Sequence, residues 1–183
     1  MLLFSNMPNA YASDITIINN SSYGIDLAVT LKLSQSYKKL VLKYWKVQDL
    51  PMTIYLVDDW EESAKLNIDE NYLAYHWYDQ YPYIVINMNQ VKKSKNTFSM
   101  VLTHELGETI VNPYVDRYVY HKGRKVYLEI CDPSIDVFYI GRNRVSDFAF
   151  PAFYKINGKA PYSYTRNLKK PFITDSWGFI WYG

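Results

Sequence analysis

The run from Phe98 to Pro113, F-S-M-V-L-T-H-E-L-G-E-T-I-V-N-P, constrains the chain more than any other stretch. Phe98, Val101, Leu102, Leu106, Thr109 and Ile110 recur at the spacing of one buried stripe on an α-helix. Asn96 or Thr97 precedes it as an N-cap, and Pro113 ends it. A helix this apolar must be covered by the rest of the fold, yet it carries His104, Glu105 and Glu108. His104 and Glu108 are four apart, so they lie on one face and can reach a common point. Glu105, rotated by about a quarter-turn, falls on the buried stripe. A buried carboxylate without a partner is costly, so it shifts its pKa or recruits a cation or donor. Gly107, inside the helix, costs roughly 1 kcal/mol relative to alanine, which implies close packing there. The plain alternative is an i,i+4 surface pair of His104 and Glu108, with Glu105 capping or paired to a lysine or arginine.

The flanking chain places this helix in an α+β fold. Ile15 to Ile18 reads as a first strand. A helix follows from about Ile25 to Val47, with five lysines mainly towards its second half that read as a solvated face. Pro51 stops it, and Met52 to Asp59 reads as a strand. Asn71 to Tyr78 and Tyr81 to Met88 read as a further pair, the second apolar enough for a sheet interior. Beyond Pro113 the chain reads as β-rich. A hairpin turns near Lys122-Gly123, then come D-V-F-Y-I and F-A-F-P-A-F-Y-K as extended segments. Residues 15–183 are expected to form one domain, after a flexible or partner-bound tail over 1–14.

Composition narrows the function. A net charge of +2 gives no electrostatic case for nucleic-acid binding. No run approaches the length of a membrane span, and the N-terminus lacks the basic and apolar regions of a signal peptide. With one cysteine, Cys131, no intramolecular disulfide framework can form. Nineteen tyrosines suit extensive contact surfaces, since each has an apolar ring and a polar tip.

Downstream of the helix stands E-I-C-D-P, with Glu129 and Asp132. A metal held by His104 and Glu108 needs at least a third protein ligand, and either carboxylate can serve, the other orienting His104. Cys131 is a soft donor, but strand alternation turns it away from Asp132, which favours buried filler. The plain alternative is that Asp132-Pro133 starts a turn.

H-E-L-G-E-T-I-V-N-P, E-I-C-D-P and V-S-D-F-A-F-P-A-F-Y (Val145 to Tyr154) together resemble a group of phage and bacterial proteins. These carry H-E-x-x-E, a nearby Asn/Asp-Pro, an E-I/V-x-D box and an S-D/N-F-x-x-P box. The order of elements resembles the N-terminal half of zincin metallopeptidases. The resemblance implies a zincin-like mixed sheet with an N-terminal helix and the H-E-x-x-E helix, followed by a β-rich part. It implies a cleft whose rim is the strand Tyr83 to Asn87. It makes His104 and Glu108 metal ligands, Glu129 or Asp132 the third, and Glu105 the general base. Tyr114, Tyr118, Tyr139 and His121 are the candidates for oxyanion stabilisation. One histidine and two carboxylates form a harder site than two histidines and one carboxylate, so manganese, calcium or no ion stand beside zinc.

The expected function is a phage virion structural or adaptor protein on this domain, partnered by other virion proteins or by itself. Its place would be the virion if phage-encoded, and otherwise the cytoplasm. The aromatic tail S-W-G-F-I-W-Y-G alternates Trp177, Phe179 and Trp181, which suits a strand added to a neighbour or one closing the domain's own sheet. The alternative is an active zinc-dependent metallopeptidase using Glu105.

Overall fold

The computed structural model describes residues 15–60, 71–121, 124–155 and 157–171. Strands β1 (Ile15–Asn19) and β2 (Met52–Val57) flank helix α1 (Leu27–Trp45). Then come β3 (Ala74–Tyr78), β4 (Pro82–Asn87), the short helix α2 (Met88–Lys93) and helix α3 (Phe98–Val111). Two hairpins follow, β5 (Tyr118–His121) with β6 (Arg124–Tyr127), and β7 (Val137–Ile140) with β8 (Asn143–Ser146). The fold is α+β.

The main sheet has the order β1-β2-β4-β3. β1, β2 and β4 are parallel, and β3 pairs antiparallel to β4 at the edge. Ile54, Leu56, Ile84 and Ile86 alternate onto one face and are fully buried. α3 packs on β3 and β4, and α1 packs on β1 and α3. α3 begins where the Thr97 hydroxyl accepts from the Met100 amide, so of the two expected N-caps, Asn96 and Thr97, it is Thr97 that caps the helix. The β7–β8 hairpin covers α3 from the other side. α3 is therefore enclosed nearly all round.

The aromatic residues of the second half belong to the same core. Phe150 stacks on Tyr44 of α1 at 4.4 Å between ring centroids, and Phe148 stacks on Tyr164 at 5.7 Å. Asp147 is fully buried and accepts from Ser134 Oγ, Thr165 N and Thr165 Oγ1 at 2.7, 3.0 and 2.7 Å. Next to it, the Ser146 amide donates to Thr103 Oγ1 of α3 at 2.9 Å, and its carbonyl accepts from Tyr37 of α1 at 3.0 Å. Ser146-Asp147-Phe148 thus ties α1, α3 and two loops together.

Several expectations need correction. The rim strand was expected at Tyr83 to Asn87, but β4 lies between β2 and β3, and β3 is the edge. F-A-F-P-A-F-Y-K is not a strand: Ala149 makes one isolated bridge to Ser163, and the chain turns from Pro151, which has no N–H to give a ladder. Helix α2, which no expectation covered, follows β4 directly and is started by Asn87, whose side chain accepts from the Gln90 amide. On α1, Lys38 is buried against Asp49 and the Leu50 carbonyl, whereas Lys32, Lys39, Lys43 and Lys46 are exposed as expected. The hairpin turn at Lys122-Gly123, the tail 1–14 and the aromatic C-terminal tail lie outside the described residues. Among the described residues no helix is long and apolar enough to cross a membrane.

Candidate metal centre

α3 places His104 and Glu108 one turn apart, with His104 Nε2 3.3 Å from Glu108 Oε1. The loop after β6 crosses the same face and brings Asp132 Oδ1 to 3.4 Å from His104 Nε2. The edge strand adds a residue that sequence reasoning missed. His76 pairs with Ile84, so it shares the sheet face that packs on α3. Its Nδ1 lies 3.4 Å from Glu105 Oε2 and 3.8 Å from Glu108 Oε2, and its Nε2 lies 3.8 Å from Glu129 Oε2. All of His104, Glu105, Glu108, Glu129 and Asp132 therefore converge, and His76 joins them.

The loop is held by more than its own turn. Asn112, the buried C-cap of α3, donates from Nδ2 to Glu129 Oε1 at 3.3 Å and accepts the Arg117 amide on Oδ1 at 2.7 Å. The Tyr154 hydroxyl donates to the Glu129 carbonyl at 2.8 Å, and the Ala149 amide to the Ile130 carbonyl at 2.7 Å. The Asn-Pro box, the E-I-x-D box and the S-D-F-x-x-P box thus meet at one loop.

Glu105 is largely buried, as its place on the stripe implied, with its side chain 12% exposed and turned to His76; Glu108, 4% exposed, is buried more deeply still, which the stripe did not indicate. Because sheet, α1 and the β7–β8 hairpin all cover α3, one stripe does not define its buried side. Cys131 is fully buried, as expected, but not through strand alternation, since neighbouring Ile130 is equally buried in an irregular loop. Its Sγ lies 3.6 Å from Tyr37 Oη. A Cβ on Gly107 would stand 2.7 Å from that sulfur and 3.2 Å from Tyr37 Oη, which explains the glycine inside the helix.

The electrostatics of the cluster are those of too many carboxylates in too little water. Burial, with Glu105, Asp132 and Glu129 adding to it, drives the Glu108 pKa well up against the opposing pull of His104. Burial also raises Glu129, against the pull of His76. Burial by itself would lower both histidines. The charge of Glu108, the bond to Asp132 and the charge of Glu105 outweigh it at His104 and raise its pKa to about 10. Glu105, by hydrogen bond and by charge, and then Glu129 raise His76 likewise.

Three buried atoms in the cluster, Glu108 Oε1, His76 Nε2 and Glu129 Oε2, have no hydrogen-bond partner. Buried polar atoms of this kind are rare unless something else satisfies them. Nitrogen and carboxylate oxygen donors aimed at one another suit a divalent cation. Donor atoms of His104, Glu108 and Cys131 lie within 4.8 Å of one another, as do those of His76, Glu108 and Glu129.

Without metal, all four raised groups bind protons more tightly folded than unfolded. Such a group stabilises the fold fully below its unfolded pKa and loses that contribution as pH rises through the folded pKa. The window opens near 4.5 for Glu108 and near 6.5 for His104, and closes near the His104 value of about 10. In chelator, Tm is expected to fall steadily from mildly acidic to alkaline pH. A Tm that instead rises over that range would contradict the proton-filled cluster.

Of the tyrosines considered for oxyanion stabilisation, Tyr114 packs on Tyr78 and Tyr118 on Tyr120 and Tyr127, while Tyr139 is exposed on β7. The His121 side chain lies outside the described residues. Tyr37 and Tyr154 are the buried tyrosines beside the cluster. A cavity of about 230 Å³ lined by Thr53, Tyr55, Tyr81 and Tyr83 shares no residue with the cluster and opens on the opposite sheet face, since Tyr83 alternates with Ile84. Comparison with family models, curated proteins and solved structures finds no match to this chain.

Proposed function

We propose that the chain is a structural or adaptor protein of a phage virion, built on a zincin-like domain whose metal centre serves rigidity rather than proteolysis. One observation carries this reading. Glu105, which peptide hydrolysis would use as general base, is occupied: its Oε2 lies 3.4 Å from His76 Nδ1. A carboxylate placed there orients an imidazole, the role outer carboxylates play around metal-binding histidines. His104, Glu108 and Asp132 would hold a divalent ion, with Asn112 positioning Glu129 beside them. When bound, the ion supplies positive charge to the buried carboxylates and Lewis acidity.

The three sequence boxes support the phage placement, and the surface supports a partner. Trp77, Tyr78, Tyr81 and Tyr114 are exposed around the edge strand, rings with polar tips suited to protein contacts. The partner is another virion protein or a second copy of the chain. The test is metal analysis of the purified full chain together with its native mass, alone and with virion components. A chain free of metal, monomeric and absent from any assembly sinks the reading.

A second reading, an active zinc-dependent metallopeptidase, is favoured by one feature. His104 and Asp132 side chains are 33% and 44% exposed, so the cluster opens to solvent beside a strand edge able to take an extended peptide. Glu105→Gln is compared with wild type on unfolded protein substrates. A peptidase loses about 10²–10⁴ in rate, as expected for a general base. Absence of Glu105-dependent cleavage removes this reading and leaves the structural one.

A further inference from the structure

The Glu108 carboxylate faces two different histidines with its two oxygens. Oε1 lies 3.3 Å from His104 Nε2, and Oε2 lies 3.8 Å from His76 Nδ1. Each side has its own further donor: Asp132 Oδ1 is 3.4 Å from His104 Nε2, and Glu129 Oε2 is 3.8 Å from the other His76 nitrogen, Nε2, which the Glu105 contact at Nδ1 leaves open to an ion. The two donor sets, His104–Glu108–Cys131 and His76–Glu108–Glu129, share only Glu108. Of the three orphaned atoms, Glu108 Oε1 faces His104, while His76 Nε2 and Glu129 Oε2 both belong to the second set; the His76 side chain is 7% exposed.

We propose that the cluster is a two-cation centre. One divalent ion is held by His104, Glu108 and the Cys131–Asp132 loop. A second is held by His76, Glu108 and Glu129, and Glu108 bridges them. This rests on the metal-binding reading above and adds to it a second position and a ligand from the edge strand. Imidazole with carboxylates selects first-row divalent ions in the range of manganese to zinc. In this arrangement β3 supplies the second histidine that H-E-x-x-E lacks, and Glu105 orients that histidine.

The experiment uses the untagged full chain, stripped with chelator and dialysed against Mn(II) and Zn(II) in parallel, with bound ion counted per chain. Two ions per chain are expected. The Mn(II)-loaded chain is expected to give the paramagnetic resonance spectrum of an exchange-coupled pair. His76→Ala and Glu129→Gln are each expected to lower the count to one and convert the spectrum to that of an isolated ion. Glu129→Gln keeps the side-chain shape, so it carries the test if His76→Ala fails to fold. A wild-type count of one, or two ions retained in Glu129→Gln, overturns the two-cation centre and leaves a single-ion site intact. No bound ion of either kind overturns both the centre and the metal-binding reading beneath it.

Discussion

Stripping divalent metal from the protein at neutral pH is expected to lower its Tm by about 10 °C. A ligand that binds only the folded state contributes about 4 kcal/mol at a thousandfold excess over Kd. For a chain of this size each kcal/mol moves Tm by about 2–4 °C. Glu108→Gln separates metal from packing, because the amide keeps the shape and removes the charge. In chelator the variant is expected to match wild type, since burial and the neighbouring carboxylates already favour the uncharged acid at this position and the amide has the same shape. With metal present it is expected to fall below wild type, because its amide is a poor ligand. Thermal melts of both proteins in both conditions check the difference. If Glu108→Gln is destabilised equally with and without metal, the carboxylate is structural and the ion is not its partner.

Asp147→Ala is expected to cost about 4 kcal/mol, from the loss of several hydrogen bonds to a buried charged acceptor and the stranding of their donors. Ser134 Oγ, Thr165 N and Thr165 Oγ1 all donate to this one carboxylate, which is fully buried. Denaturant titration is the measurement: the midpoint should drop with the slope unchanged. A shift below about 0.5 kcal/mol, the range of an ordinary surface substitution, would remove Asp147 from its place as a clamp. With the expected drop, the S-D-F-x-x-P box is read as the fastening of the core on α1 and α3, not as chemistry.

The sequence carried the helical part of the site because helical spacing is local. His104 and Glu108 at i,i+4 must share a face, and they do. Glu129 and Asp132 were legible as nearby acidic residues, but the pairing of Asp132 with His104 depends on how the loop docks. His76 was not legible. Its place opposite Glu105 and Glu108 is decided by β3 adding antiparallel to β4 in one particular register, and a slip of one residue would turn it to the other face. The one available signal was rarity, since the chain has only three histidines and one of them sits in a strand ahead of the H-E-x-x-E helix. The unexpected burial of Glu108 has a similar origin. A stripe calculation assumes one covered side, and α3 is covered by a sheet, a helix and a hairpin together. F-A-F-P-A-F-Y-K has the composition of a strand, but Pro151 and the stacking of Phe148 and Phe150 against α1 and Tyr164 drew it into the core as a turn.

His76 enters the centre from an edge strand, Glu108 from a helix and Glu129 from a loop that Asn112 and Tyr154 hold in place. None of these donors is close to its partners through local chain geometry alone. An ion in the proposed centre could therefore be gripped only after β3 has joined the sheet and the loop has settled. Interactions absent from the transition state slow unfolding and leave the folding rate nearly unchanged. The proposed centre would then act as a latch: a chelator would shorten the lifetime of the native chain far more than it would delay its formation.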